Sequence, residues 1–104
     1  MMTSLPQPVA AYFAARTPSE IAATFTEDAV VVDGRRLRRG RTEILKWREE
    51  VAQISFTKEV ISVARAGAHV TVACRVTGDF PGSPVDLDHI FKLDGNLISS
   101  LEIA

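Results

Sequence analysis

The chain has 104 residues, 46% of them hydrophobic and 24% charged, with a formal net charge of −1. That length makes one domain with room for one core and a modest cavity. The balance excludes a disordered chain and argues against a general nucleic-acid binder. The single cysteine, Cys74, permits no intramolecular disulfide and no cysteine-based zinc site. His69 and His89 have no acid at ligand spacing, so no metal site is expected. The N-terminus has neither the basic start nor the apolar core of a signal peptide. No run is long enough to span a membrane. A cytoplasmic location is the expectation, with no membrane and no nucleic-acid partner.

Pro6 and Pro8 suit the first turn of a helix, where a missing N–H does no harm. Val9, Tyr12, Phe13 and Arg16 follow at helical spacing, which predicts Val9, Tyr12 and Phe13 facing inward. Thr17-Pro18-Ser19-Glu20 reads as a second helix start, with Thr17 as cap and Glu20 closing a capping box. Ile21 and Phe25 give that helix its buried face. Phe25-Thr26-Glu27-Asp28 reads as its close and a turn. Ala29 to Val32 is a β-branched strand, Asp33-Gly34 a tight turn, and Arg36-Leu37-Arg38 a short returning strand. Gly40 to Ala52 reads as the third helix, with Ile44, Trp47 and Val51 as its stripe and Glu43–Lys46 as a surface pair.

Beyond Gln53 the chain reads as strand. Ile54 to Arg65 is rich in β-formers but slips in parity. Ile54, Phe56 and Val60 share one face, Ile61 and Val63 the other, so either both faces are covered or there is a bulge. His69 to Gly78 alternates, with Val70, Val72, Cys74 and Val76 on one side. Residues 79–84 form a loop whose prolines exclude a central strand. Val85 to Leu93, an Asp94-Gly95 turn, and Leu97 to Ile103 complete an antiparallel meander. Helices first and strands after predict an α+β domain with helices on one face of a curved sheet.

YFAA in the first helix, FTEDAVVVDG, GRTEILKW and DHIFKLDGNLISSLEI follow in that order. In that order they resemble the SnoaL-like, NTF2-like superfamily of cone-shaped α+β domains. The resemblance implies one domain over residues 1–104, three N-terminal helices on a curved, mainly antiparallel sheet, and a homodimer through that sheet. Three positions look like the ketosteroid isomerase branch. Tyr12 stands where that enzyme has its oxyanion-binding tyrosine, Asp33 where it has its base, and Asp88 where it has a protonated aspartic acid. That enzyme is a standard case of a carboxylic acid kept neutral by an apolar site.

Moving a proton beside a carbonyl needs a carboxylate base and a donor to the developing enolate oxygen. An apolar wall must exclude water. Val9, Tyr12, Phe13, Phe25, Trp47, Phe56 and Phe91 are the residues expected to supply it. Asp33 has an alternative role as a turn residue. Strand parity turns His89 inward and Asp88 outward, unless a bulge intervenes. His89 is then a core histidine or, with Asp33, half of an acid–base pair as in dehydratase-like members. His69 reads as solvated and Cys74 as packing. The run Arg35, Arg36, Arg38, Arg39 and Arg41 reads as a solvated hairpin or an anion site. The expected function is a cofactor-independent isomerase, cyclase or dehydratase acting on a small apolar carbonyl compound. The alternative is a non-catalytic module that binds a small ligand or protein partner in the same cone.

Overall fold

The computed structural model describes residues 5–104. Met1 to Ser4, read above for a leader, lie outside the described residues. The elements run α1 (Gln7–Ala14), α2 (Pro18–Ala22), β1 (Phe25–Asp33), β2 (Arg36–Arg39), α3 (Gly40–Val51), β3 (Phe56–Ala66), β4 (His69–Gly78), β5 (Val85–Asp94) and β6 (Leu97–Ile103). The strands form one six-stranded sheet in the order β2-β1-β6-β5-β4-β3. Every pairing is antiparallel except β1 with β6, which is parallel.

Local chemistry accounts for the elements. Proline opens α1, and Val9 and Tyr12 turn inward from it. Thr17 and Glu20 form the capping box that starts α2. Gly34 takes a φ of 65°, which the β1–β2 turn requires. Ile44 and Trp47 are the buried stripe of α3, which packs on α2 and β1. Val70, Val72, Cys74 and Val76 are all buried, as the clean alternation of β4 requires. Phe25, Trp47, Val70 and Val72 belong to one core cluster, with Phe13 half-buried against it.

The structure corrects three expectations. Phe25 to Asp28 does not turn the chain. It belongs to β1, which pairs with β6 from Phe25 onward and shifts register between Phe25 and Val30. That irregularity hides a strand under a polar run. Glu43 does not pair with Lys46; its Oε1 accepts the backbone N–H of Arg39 at 2.8 Å and so serves the helix start. The parity slip in β3 is a bulge between Val60 and Ser62. Ile61 is the extra residue, so Val63 returns to the face of Phe56 and packs against the core instead of facing out.

Candidate functional site

A cavity of about 320 Å³ opens between α3 and the inner face of the sheet. Asp33 enters it from the end of β1, and Trp47, Arg48 and Val51 from α3. Phe56 and Lys58 come from β3, Leu87 and His89 from β5. Ile54, Val76, Phe80 and Ile103 complete a largely apolar wall.

Asp33 stands at the head of its turn, yet its carboxylate bonds elsewhere. Oδ2 accepts the indole N–H of Trp47 at 2.8 Å. Oδ1 carries no hydrogen bond from a described residue. Across the cavity, Lys58 Nζ lies 3.0 Å from His89 Nε2. Alternation puts Lys58 inward, opposite Val76 of β4, and His89 inward, opposite Val72. Lys58 also faces the rings of Tyr12, Phe13 and Phe56, at 5.6, 5.9 and 5.7 Å from their centroids.

Burial, with the nearby Arg48 charge adding to it, pulls the Lys58 ammonium down to about 8. Burial and the Lys58 charge push His89 down to about 3, against an opposing effect of the Leu87 backbone. Near neutral pH the pair is therefore an ammonium beside a neutral imidazole. The ammonium can only donate, so Nε2 accepts and the ring proton sits on Nδ1. Nδ1 itself is buried without a hydrogen-bond partner of good geometry.

Tyr12 is corrected as a cavity donor. Its ring is buried among Phe13, Phe25 and Phe91, outside the cavity lining. Burial raises its phenol to about 12, and Arg48 Nη1 reaches its oxygen at a long 3.4 Å. Asp88 is corrected outright: it is exposed on the outer face, as its parity in β5 requires, while His89 is fully buried. Among the expected wall residues, Trp47 and Phe56 line the cavity. Val9, Phe25 and Phe91 are fully buried core instead, and Phe13 packs half-buried beside it.

The basic run divides. Arg38 is buried against Glu50 at 2.8 Å, and Arg41 Nε donates to the Phe25 carbonyl at 2.9 Å. Both are built into the fold and are not part of a solvated hairpin; Arg35, Arg36 and Arg39 are exposed. Cys74 is a buried free thiol on the core face of β4.

Sequence reasoning missed Lys58 and Arg48. Lys58 had a signal, as the one cation at an inward position between Phe56 and Val60. Arg48 had one too, four residues after Ile44 and beside Trp47 on the α3 stripe.

A protein from Sinorhizobium meliloti described as a "putative polyketide cyclase" has the same fold at a TM-score of 0.88. It is 34% identical, over 96% of this chain and 95% of that one. The chain belongs to the same family as this polyketide cyclase-like protein. A hypothetical protein with a ketosteroid isomerase-like fold from Catenulispora acidiphila, in complex with trimethylamine, matches at a TM-score of 0.83 and 22% identity. That match covers 97% of this chain and 86% of the other, and it shows the shared fold. An NTF2-like protein of unknown function from Cytophaga hutchinsonii matches at 0.75 and 15% identity, over 100% and 93% of the two chains. No family model and no curated protein matches the sequence.

Proposed function

We propose that this NTF2-like protein is a cofactor-independent enzyme of the isomerase, cyclase or dehydratase type. It moves a proton beside the carbonyl of a small, largely apolar compound. One observation carries the reading: a carboxylate and a lysine–histidine pair share a single apolar-walled cavity. Asp33 is the general base. The Trp47 N–H holds one carboxylate oxygen and leaves the other to take the proton next to the carbonyl. The electron pair moves onto the carbonyl oxygen, and the Lys58 ammonium donates to the enolate that forms. Neutral His89 positions Lys58 through Nε2. Protonated Asp33 then returns its proton to the same or another carbon, which regenerates the base. In this reading Lys58 takes the donor role expected of Tyr12, and Tyr12 supports Arg48 from behind. The polyketide cyclase description of the Sinorhizobium protein supports the same class of chemistry.

The chain works as a homodimer in this proposal, through the outer face of its sheet. Ile61, the bulged residue on the edge strand β3, is 50% exposed and offers an apolar contact to a second copy.

The test is hydrogen exchange in heavy water. β,γ-Unsaturated cyclic ketones and cyclic 1,3-diketones are incubated with the protein, and their α-protons are followed by NMR. Exchange well above the buffer rate supports the enzyme. A ketone that binds in the cavity without exchange points to the non-catalytic ligand-binding module.

A further inference from the structure

The cavity wall carries three charged groups, Asp33, Arg48 and Lys58. Asp33 and Lys58 offset each other, and His89, at about 3, is neutral near physiological pH. Arg48 is the surplus cation. Ion pairs among the described residues join Arg36 and Arg38 to Glu50 and Arg75 to Asp86; Arg48 takes part in none. Its Nε is buried with no hydrogen-bond partner. Its Nη1 has only the 3.4 Å contact with the Tyr12 oxygen, near the limit of a hydrogen bond. The guanidinium lies against the Trp47 ring at 5.0 Å and the Tyr12 ring at 5.9 Å, which hold its position. A cation in an apolar wall with unused donors is costly unless something pairs with it. A planar fork of N–H donors matches a carboxylate or a phosphate through two parallel hydrogen bonds, and the smaller, singly charged carboxylate sheds its water at less cost on entering an apolar cavity.

We infer that the substrate carries its own carboxylate, held by Arg48, on an apolar body whose carbonyl reaches Asp33 and Lys58: a small apolar keto acid. The position of the carbonyl rests on the proton-transfer reading above. The Arg48 contact rests on the unpaired guanidinium and is testable apart from turnover. A neutral ketone of the same size would leave Arg48 as it stands, unpaired. The cavity volume of about 320 Å³ suits a molecule of one or two rings.

Three probes of one shape test it: cyclohexanecarboxylate, cyclohexanecarboxamide and cyclohexylammonium. Calorimetry near neutral pH measures affinity, and the fluorescence of Trp47, the sole tryptophan, reports occupancy of the cavity. The carboxylate should bind roughly tenfold or more tightly than the amide, and the ammonium should not bind. Arg48→Met should abolish the preference, and Arg48→Lys should retain part of it. Where Arg48→Met fails to fold, Arg48→Gln, which keeps length and polarity, decides between Arg48 and Lys58 as the partner of the carboxylate. Equal or tighter binding of the amide or the ammonium overturns the inference, as does failure of all three to bind at millimolar concentration. Carboxylate preference without exchange on any ketone or keto acid keeps the Arg48 contact and sinks the proton-transfer reading. Exchange on neutral ketones with no preference for the anion does the reverse.

Discussion

The indole N–H of Trp47 donates to the Asp33 carboxylate at 2.8 Å, tying the buried stripe of α3 to the end of β1. One side chain therefore serves both core and site, and its two roles separate by substitution. Trp47→Phe keeps most of the ring and removes the N–H. We expect a cost of about 1–3 kcal/mol from urea unfolding, with turnover falling more than ligand affinity. Trp47→Ala should cost about 3–5 kcal/mol. A Phe variant with native stability and native turnover would show that the bond orients nothing.

Lys58 and His89 both make stability rise with pH, in two separate windows. The folded Lys58 titrates at about 8, below its ordinary value, so the unfolded chain binds more protons between that value and 10.5. Its burial thus weakens the fold at lower pH, and stability is regained as pH rises through that window. Turnover should fall through the same window, because the donor to the enolate loses its proton. A rate that drops above about pH 8 while stability rises would separate the two effects.

His89 acts on the acid side. Its folded value of about 3 lies below its ordinary 6.5, so its contribution is complete above 6.5 and is lost as pH falls toward 3. Glu50 and Asp86, lowered by their hydrogen bonds to Arg38 and Arg75, add a loss that begins below their ordinary values of 4.5 and 3.8, inside the same window. His89→Gln should therefore flatten the stability profile between about pH 6.5 and 3. An unaltered slope in urea midpoints across that range would contradict a neutral buried His89.

Much of this was legible in residue patterns, and the failures have physical causes. Alternation in β4 and β5 is strict, because one face of each strand is core; it turned Cys74 and His89 inward and Asp88 outward. The slip at Ile61 fitted either a bulge or a strand covered on both faces, because parity alone does not separate the two; the bulge returns Val63 to the core face. Residues 25–28 misled because a polar run at the start of β1 looks like a turn when its parallel partner, β6, lies far along the chain. Tyr12 showed the spacing of an inward residue, but spacing does not distinguish a cavity wall from the packed core behind it. Lys58 and Arg48 were overlooked because long cationic side chains usually reach solvent. These two reach instead an apolar cavity that exists only once α3 and the sheet are assembled.

Gly78, at the end of β4, is needed for closeness and not for backbone freedom. A Cβ there would overlap the Ser55 carbonyl oxygen and the Cα and Cβ of Phe56. Those atoms begin β3, which carries Phe56 and Lys58 into the cavity. Gly78→Ala should cost about 1–3 kcal/mol and displace that strand end. Urea unfolding gives the first quantity; native stability would show that β3 shifts freely.

The proposed dimer is tested at β3. Sedimentation equilibrium at micromolar concentration should find twice the chain mass, and Ile61→Glu should return it to a monomer with its fold unchanged by circular dichroism. A wild-type monomer at that concentration would remove the second copy.

The most direct test of the proton-transfer account is Asp33→Asn, measured as the α-proton exchange rate of a ketone or keto acid that the wild type turns over. The amide keeps the shape and can still accept from Trp47, but it cannot serve as the base. The account predicts a rate lower by roughly 10²–10⁴-fold with ligand affinity and urea midpoint near those of the wild type. An exchange rate equal to that of the wild type would contradict it.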